Sequence, residues 1–174
     1  MCSYITQIAS IIGKGSGPNG WFNINQANVY FDHPFHAPLD HAITIDFVNP
    51  AMGPSARVAI ELSADSAEEL MHTIDTNIYG NGSGDYKPAD KSDAVELFGS
   101  GKGSRGWFSL EKALIYQSND ETKQGAGLNI DFLSKSSSSG NDRDISVEVT
   151  SESAKAISTS INAALENGRR EHIL

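Results

Sequence analysis

The sequence predicts an α+β fold: a tandem duplication of a four-strand-plus-helix unit, with antiparallel sheets, helices on one face, and the two copies related by a pseudo-twofold axis. Three observations predict it. Gly13, Gly15, Gly17, Gly20, Trp21, Phe22, Ala27 and Tyr30 recur as Gly99, Gly101, Gly103, Gly106, Trp107, Phe108, Ala113 and Tyr116, each 86 positions later. Ile45-Asp46-Phe47 recurs as Ile130-Asp131-Phe132, and the pattern of 58–78 recurs over 145–165 with Glu61, Ser66, Ala67 and Ile74 matched identically. Within each copy the apolar residues switch from strand-like alternation to a helical stripe.

The elements follow in order. A first strand is expected over 4–12 and a second over 26–32, where Ala27, Val29 and Phe31 share one face and Asn28, Tyr30 and Asp32 the other. A third covers 41–48. A fourth, 57–62, turns Val58, Ile60 and Leu62 inward and Arg57 and Glu61 outward. The helix that follows opens at Ser63 or Ser66, and Ser66 with Glu69 has capping-box spacing. Its stripe is Ala67, Leu70, Met71, Ile74 and Ile78, repeated as Ala154, Ile157, Ile161 and Leu165. The copies are bounded at 1–80 and 94–174, joined by a linker at 81–93 rich in Gly, Ser, Asp and Lys. Each copy alone buries little apolar surface against its chain entropy, so one pseudo-dimeric domain is expected.

Composition excludes several function classes. Hydrophobic and charged fractions of 39% and 20% are those of a soluble globular chain, and no run approaches the length of a membrane span. The start, Met1-Cys2-Ser3-Tyr4, has neither a basic segment nor an apolar signal core, which points to the cytoplasm. Cys2 is the single cysteine and cannot form an internal disulfide. A net charge of -9 repels a phosphate backbone, so neither nucleic acid nor membrane is expected as a partner.

The feature that carries chemistry is Asp32-His33-Pro34-Phe35-His36-Ala37-Pro38-Leu39-Asp40-His41, which holds three of the five histidines. Imidazole is the commonest ligand for transition metals, and Pro34 and Pro38 stiffen the segment that presents these rings. His33, His36 and His41 are therefore candidate ligands of one divalent transition metal, zinc or iron first, copper or nickel as alternatives. Asp32 and Asp40 flank them, placed to orient ring nitrogens, complete the shell or assist proton transfer. Three imidazoles leave an open coordination position, as a catalytic metal requires, and no thiolates are present for a finger-type site. The competing reading is a polar loop in which His41 is a satisfied core histidine. The spacing matches neither His-Glu-x-x-His nor His-x-His. The facing positions of the second copy are Asn119, Thr122 and about Ala126, so the fold does not impose the histidines.

Other motifs read as structural. Residues 15–20 and 101–106 fit G-x-G-x-x-G, but a strand rather than a helix follows, which favours a glycine-rich hairpin loop over a dinucleotide site. Trp21 and Trp107 are expected as packing anchors, Cys2 as an inert thiol, and His72 and His172 as solvated. Asp46 and Asp131 recur, which suits a structural hydrogen bond.

Gly-Trp-Phe, Asp-His-Pro-Phe-His-Ala-Pro-Leu-Asp-His and Ile-Asp-Phe together resemble a family of small uncharacterised bacterial proteins that begin Met-Cys-Thr-Tyr and mostly consist of one such unit. Residues 1–80 match closely, with Ser3 in place of Thr, and the second half keeps the frame without the histidine segment. The resemblance implies that His33, His36 and His41 do one job together, and that a single-unit member is a homodimer which this chain imitates as an internal pseudo-dimer, itself a monomer or a further homodimer. The leading expectation is a metal-dependent enzyme acting on a small oxygenated metabolite by Lewis-acid lyase, cyclase or hydrolase chemistry. The alternatives are a non-haem iron or copper oxygenase with the same ligands, and a non-catalytic metal- or small-molecule-binding protein.

Overall fold

The computed structural model describes residues 6–17, 20–79, 94–103, 106–118, 127–134 and 145–171. Eight strands run in chain order: β1 (Gln7–Gly17), β2 (Gly20–Asp32), β3 (Ala42–Val48), β4 (Arg57–Leu62), β5 (Val95–Gly103), β6 (Gly106–Ser118), β7 (Gly127–Ser134) and β8 (Ile145–Thr150). Helix α1 (Ala64–Tyr79) follows β4, and α2 (Ser151–Arg170) follows β8. All neighbours are antiparallel, and β1 also pairs with β8, so the strands close into one barrel.

This corrects the expected α+β class. In place of antiparallel sheets covered by helices on one face, the chain forms a single closed eight-stranded barrel that is mostly strand. Periodicity in the sequence fixes which residues share a face, but not which strand an edge will meet. A four-stranded meander standing alone leaves its first and last strands unpaired. Pairing β4 with β5 and β8 with β1 removes these edges altogether.

The repeated glycines make those seams possible. A Cβ at Gly99 would lie 1.9 Å from the Glu61 carbonyl oxygen, and one at Gly13 would lie 2.3 Å from that of Glu148. The glycine-rich segments expected as hairpin loops are strand as far as Gly17 and Gly103, and the hairpins close where Gly17 pairs with Gly20 and Gly103 with Gly106. Among the described residues of this region positive φ occurs at Gly20 and Gly106, at 101° and 100°, where β2 and β6 begin.

Next to each seam glycine the first strand of the pair shifts register, between Ser10 and Gly13 in β1 and between Glu96 and Gly99 in β5. The irregularity leaves backbone donors to be satisfied elsewhere. Ile12 N–H donates to Ser153 Oγ at 2.8 Å, and Phe98 N–H donates to Ser66 Oγ at 2.7 Å. Each helix thus fastens to a strand of the other copy. Ser63 is the residue that caps α1, accepting from Ser66 N–H at 3.2 Å, as Thr150 accepts from Ser153 N–H in α2.

β4 and β8 run in the same direction, so both helices start at one end of the barrel, where they pack on each other. Their stripes, Ala67, Leu70, Met71 and Ile74 from α1 and Ala154, Ile157, Ile161 and Leu165 from α2, join one core with Val29, Ile45, Phe47, Ile60, Ile130 and Phe132. Eight strands enclose a space that side chains can fill, and here they do. Among the described residues no helix is long and apolar enough to cross a membrane. The expected linker at 81–93, and Cys2, His172, Asn119, Thr122 and Ala126, lie outside the described residues.

The two copies differ on their other face. In β7 and β8 buried and partly exposed residues alternate strictly. In β3 and β4 the alternation is lost, because Thr44, Asp46, Ala59 and Glu61 are buried as well. Something covers that face in the first copy.

Candidate functional site

Part of the cover is the histidine segment. β2 ends at Asp32, and the chain up to His41 folds back against the outer face of β4 and β5. Its anchor is Glu61, only 2% exposed, whose carboxylate lies beneath the turning main chain. Oε1 accepts from Phe35 N–H, and Oε2 accepts from His36 N–H and Ala37 N–H, both at 2.9 Å. A buried carboxylate is tolerable when its lone pairs are filled, and three amide donors do that. Ala37 is buried in consequence.

Glu61 holds the main chain, and the second copy holds the side chains. His36 Nδ1 is 2.9 Å from Ser100 Oγ, on the β5 residue directly opposite Glu61. The His36 ring lies parallel to Trp107, at an interplanar angle of 5° and a centroid distance of 5.6 Å. Phe35 stacks on the same indole at 5.6 Å while remaining 84% exposed.

The other two histidines form a separate group at the base of the loop. The His33 and His41 rings are 4.5 Å apart, and His41 stacks on Phe31 at 5.4 Å. His33 Nδ1 is 2.9 Å from the carbonyl oxygen of Asp40. A carbonyl only accepts, so Nδ1 carries the proton and neutral His33 keeps its lone pair on Nε2. Asp32 spends a carboxylate oxygen on the N–H of His33, at 2.6 Å. Asp40 thus contributes its main chain, and the bond seen at Asp32 is to main chain too. The ring-orienting contact to His33 comes from the Asp40 carbonyl and not from either carboxylate.

This arrangement corrects the three-histidine metal site. His33 and His41 meet each other, while His36 is turned away to Ser100 and Trp107. Among the described residues no group of three His, Cys, Asp or Glu side chains is placed to hold a metal ion. The lyase reading rested on that ligand set and falls with it. Spacing in sequence brought the histidines close along the chain, but the turn imposed by Glu61 sends alternate rings to different places.

His36 and Ser100 have the atoms of a base and a nucleophile. Ser100, however, is fully buried at 0% exposure, so its hydroxyl meets the imidazole and no substrate. The pair works as an anchor for the loop.

Behind the loop, Tyr30 OH donates to Asp46 Oδ2 at 3.2 Å, and Arg57 grips Asp46 Oδ1 at 2.8 Å. The second copy repeats this with Tyr116 OH to Asp131 Oδ2 at 3.0 Å, and Ser146 Oγ replaces the arginine at 2.8 Å. The recurring aspartates are thus hydrogen-bonded frame residues in both copies. Burial first, then the Asp46 carboxylate, pushes the Tyr30 phenol up to about 12.

The tryptophans are not equal. Trp107 lies under Phe35 and His36, whereas Trp21 is 58% exposed and is no packing anchor. His72 is exposed as expected, 3.8 Å from Glu68. Glu61, Ser100, Phe35 and the role of Trp107 are what the sequence did not reveal. The available signal was the second copy, where Ser100 faces Lys14 in the alignment although the surrounding glycines are kept.

A single family model matches the chain twice, over residues 1–84 and again over residues 91–173. The chain belongs to DUF6295. That family is described as one of unknown function. Two matches account for the repeat, and the site of this DUF6295 protein spans both, since Glu61 and the loop come from the first match and Ser100 and Trp107 from the second. No curated protein and no solved structure matches the chain.

Proposed function

We propose that this DUF6295 protein is a cytoplasmic small-molecule-binding protein whose ligand rests on the platform formed by Phe35, His36 and Trp107. The observation that carries the reading is Phe35. A phenyl ring left 84% exposed loses the gain of burial, about 1.5–3 kcal/mol for such a side chain. It is nevertheless held stacked on an indole by a loop that Glu61 clamps through three amides. A rigid exposed ring with a polar imidazole beside it is the composition of a small-ligand platform, in which the aromatic face supplies area and a few polar groups supply orientation. Pre-organisation also lowers the ordering cost of binding. A binding role is favoured over a hydrolytic one because the hydroxyl paired with His36 is buried.

The test is ligand-observed NMR against a panel of aromatic and aliphatic metabolites, with the full chain. Aromatic members should give saturation transfer that is lost in Phe35→Ala and kept in Phe98→Ala, a control ring exposed elsewhere. Binding that survives Phe35→Ala, or no binding by any aromatic member, overturns the reading.

A further inference from the structure

Lys102 is the direct register partner of Trp107 across β5 and β6, so the two side chains stand side by side on the face that carries the loop. Its neighbour on the opposite strand is Ala59, which leaves the lysine room. Lys102 is exposed, and no carboxylate of the described residues pairs with it. Two carboxylates on this face are already engaged. Glu61 is closed by three amides, and Asp46 is held by Arg57 and Tyr30.

The fold does not require a cation at this place. The equivalent residue of the first copy is Ser16, which is occupied by the β8 strand through Ser146: Ser146 N–H donates to Ser16 Oγ at 2.8 Å. Three departures from the repeat therefore fall around one indole: the Phe35-His36 loop, Ser100 in place of Lys14, and Lys102 in place of Ser16. On a chain with a net charge of -9, an ammonium unpaired among the described residues, beside the indole on which Phe35 stacks, is a local reversal of sign.

Granting the platform reading above, we propose that its ligand class is the planar aromatic carboxylate, with the ring laid on Phe35 and Trp107 and the carboxylate paired with Lys102 Nζ. His36 is hydrogen-bonded through Nδ1 to Ser100, and with Nδ1 accepting from that hydroxyl its Nε2–H is the donor left for the second carboxylate oxygen. An exposed ammonium–carboxylate pair contributes modestly and is screened by salt, so charge selects the ligand while stacking supplies most of the affinity.

The experiment compares 2-naphthoate, neutral 2-naphthamide and cyclohexanecarboxylate by calorimetric or NMR titration of the full chain at low ionic strength. Naphthoate should bind more tightly than naphthamide by roughly three- to fivefold, and the preference should shrink as salt is raised. Lys102→Met should abolish the preference without weakening naphthamide, and Lys102→Arg should keep it. Equal binding of naphthoate and naphthamide, or a preference that survives Lys102→Met, overturns the carboxylate assignment and leaves the platform standing. Cyclohexanecarboxylate binding as well as naphthoate overturns the aromatic half. If neither naphthalene binds, the assignment and the platform fail together.

Discussion

The Glu61 carboxylate accepts the main-chain N–H of His36 at 2.9 Å, while the ring of that same histidine bonds Ser100 on the facing strand. One residue is thus pinned twice, by main chain to the first copy and by side chain to the second. Glu61→Gln puts an NH2 group where a second acceptor oxygen stood, so an amide donor of the loop faces another donor. We expect a loss of roughly 1–3 kcal/mol in urea unfolding. In a Trp21→Phe background, where Trp107 is the remaining tryptophan, its emission should shift red as the loop lifts. Unchanged stability and emission would show that Glu61 does not hold the loop.

The seam glycines should be the least replaceable residues of the repeat. Gly99→Ala drives a methyl group to 1.9 Å from the Glu61 carbonyl, an atom of the main chain that cannot step aside without parting β4 from β5. The expected cost is about 3 kcal/mol, at the upper end of overpacking. Gly20→Ala meets nothing within 4 Å and faces only the strain of a φ of 101°, on the order of 1–2 kcal/mol. Denaturation midpoints in the order wild type, Gly20→Ala, Gly99→Ala check this, and a reversed order would refute the role of the seam.

Much of the fold was legible in local pattern. The fourth strand of the first copy coincides with its expectation at Arg57–Leu62, and the helix stripe Ala67, Leu70, Met71, Ile74 is buried as periodicity requires. What failed was partner choice. Alternation assigns faces but is silent on the strand an edge will meet, and seam glycines look in sequence like loop glycines. The site failed for a related reason. Three histidines along one segment suggest convergence, yet convergence is decided by Glu61 and Ser100, 25 and 64 positions from His36. Glu61 was visible only as a residue shared with Glu148, and sharing argued for a frame role. In the second copy Glu148 stands opposite Lys14 in the register of β8 and β1, so the same residue type has a lysine as its cross-strand neighbour there and a serine, Ser100, here.

Ser100 offers a sharper test of the anchor, because alanine keeps nearly its volume and removes only the hydroxyl. Ser100→Ala should lose about 0.5–1.5 kcal/mol by urea unfolding and free the His36 ring from its parallel stack on Trp107. Ser109→Ala, the exposed register partner of Ser100 on β6, should change stability by less than about 0.5 kcal/mol. An equal effect at both positions would mean that the hydroxyl of Ser100 fixes nothing.

The Tyr30 phenol gives the frame behind the loop a signature in alkaline solution. Burial, then the charge of Asp46 and the hydrogen bond to it, raise its pKa from 10.0 to about 12, against a smaller opposing pull from Arg57. The folded state therefore keeps this proton longer than the unfolded state does. A raised folded pKa means that the stabilisation is fully present below pH 10, and that it is lost as pH climbs from 10 toward 12, where the unfolded chain ionises first. Phenolate absorbance isolates the group: the titration of wild type minus that of Tyr30→Phe should show one phenol with a midpoint near 12. Asp46→Asn should lower the midpoint toward 10 without reaching it, because the burial that heads the causes remains. Stability of Tyr30→Phe should fall less steeply with pH across the same window. A difference curve centred on 10 would mean that Tyr30 stands in water, and that the Tyr30–Asp46 bond is not formed.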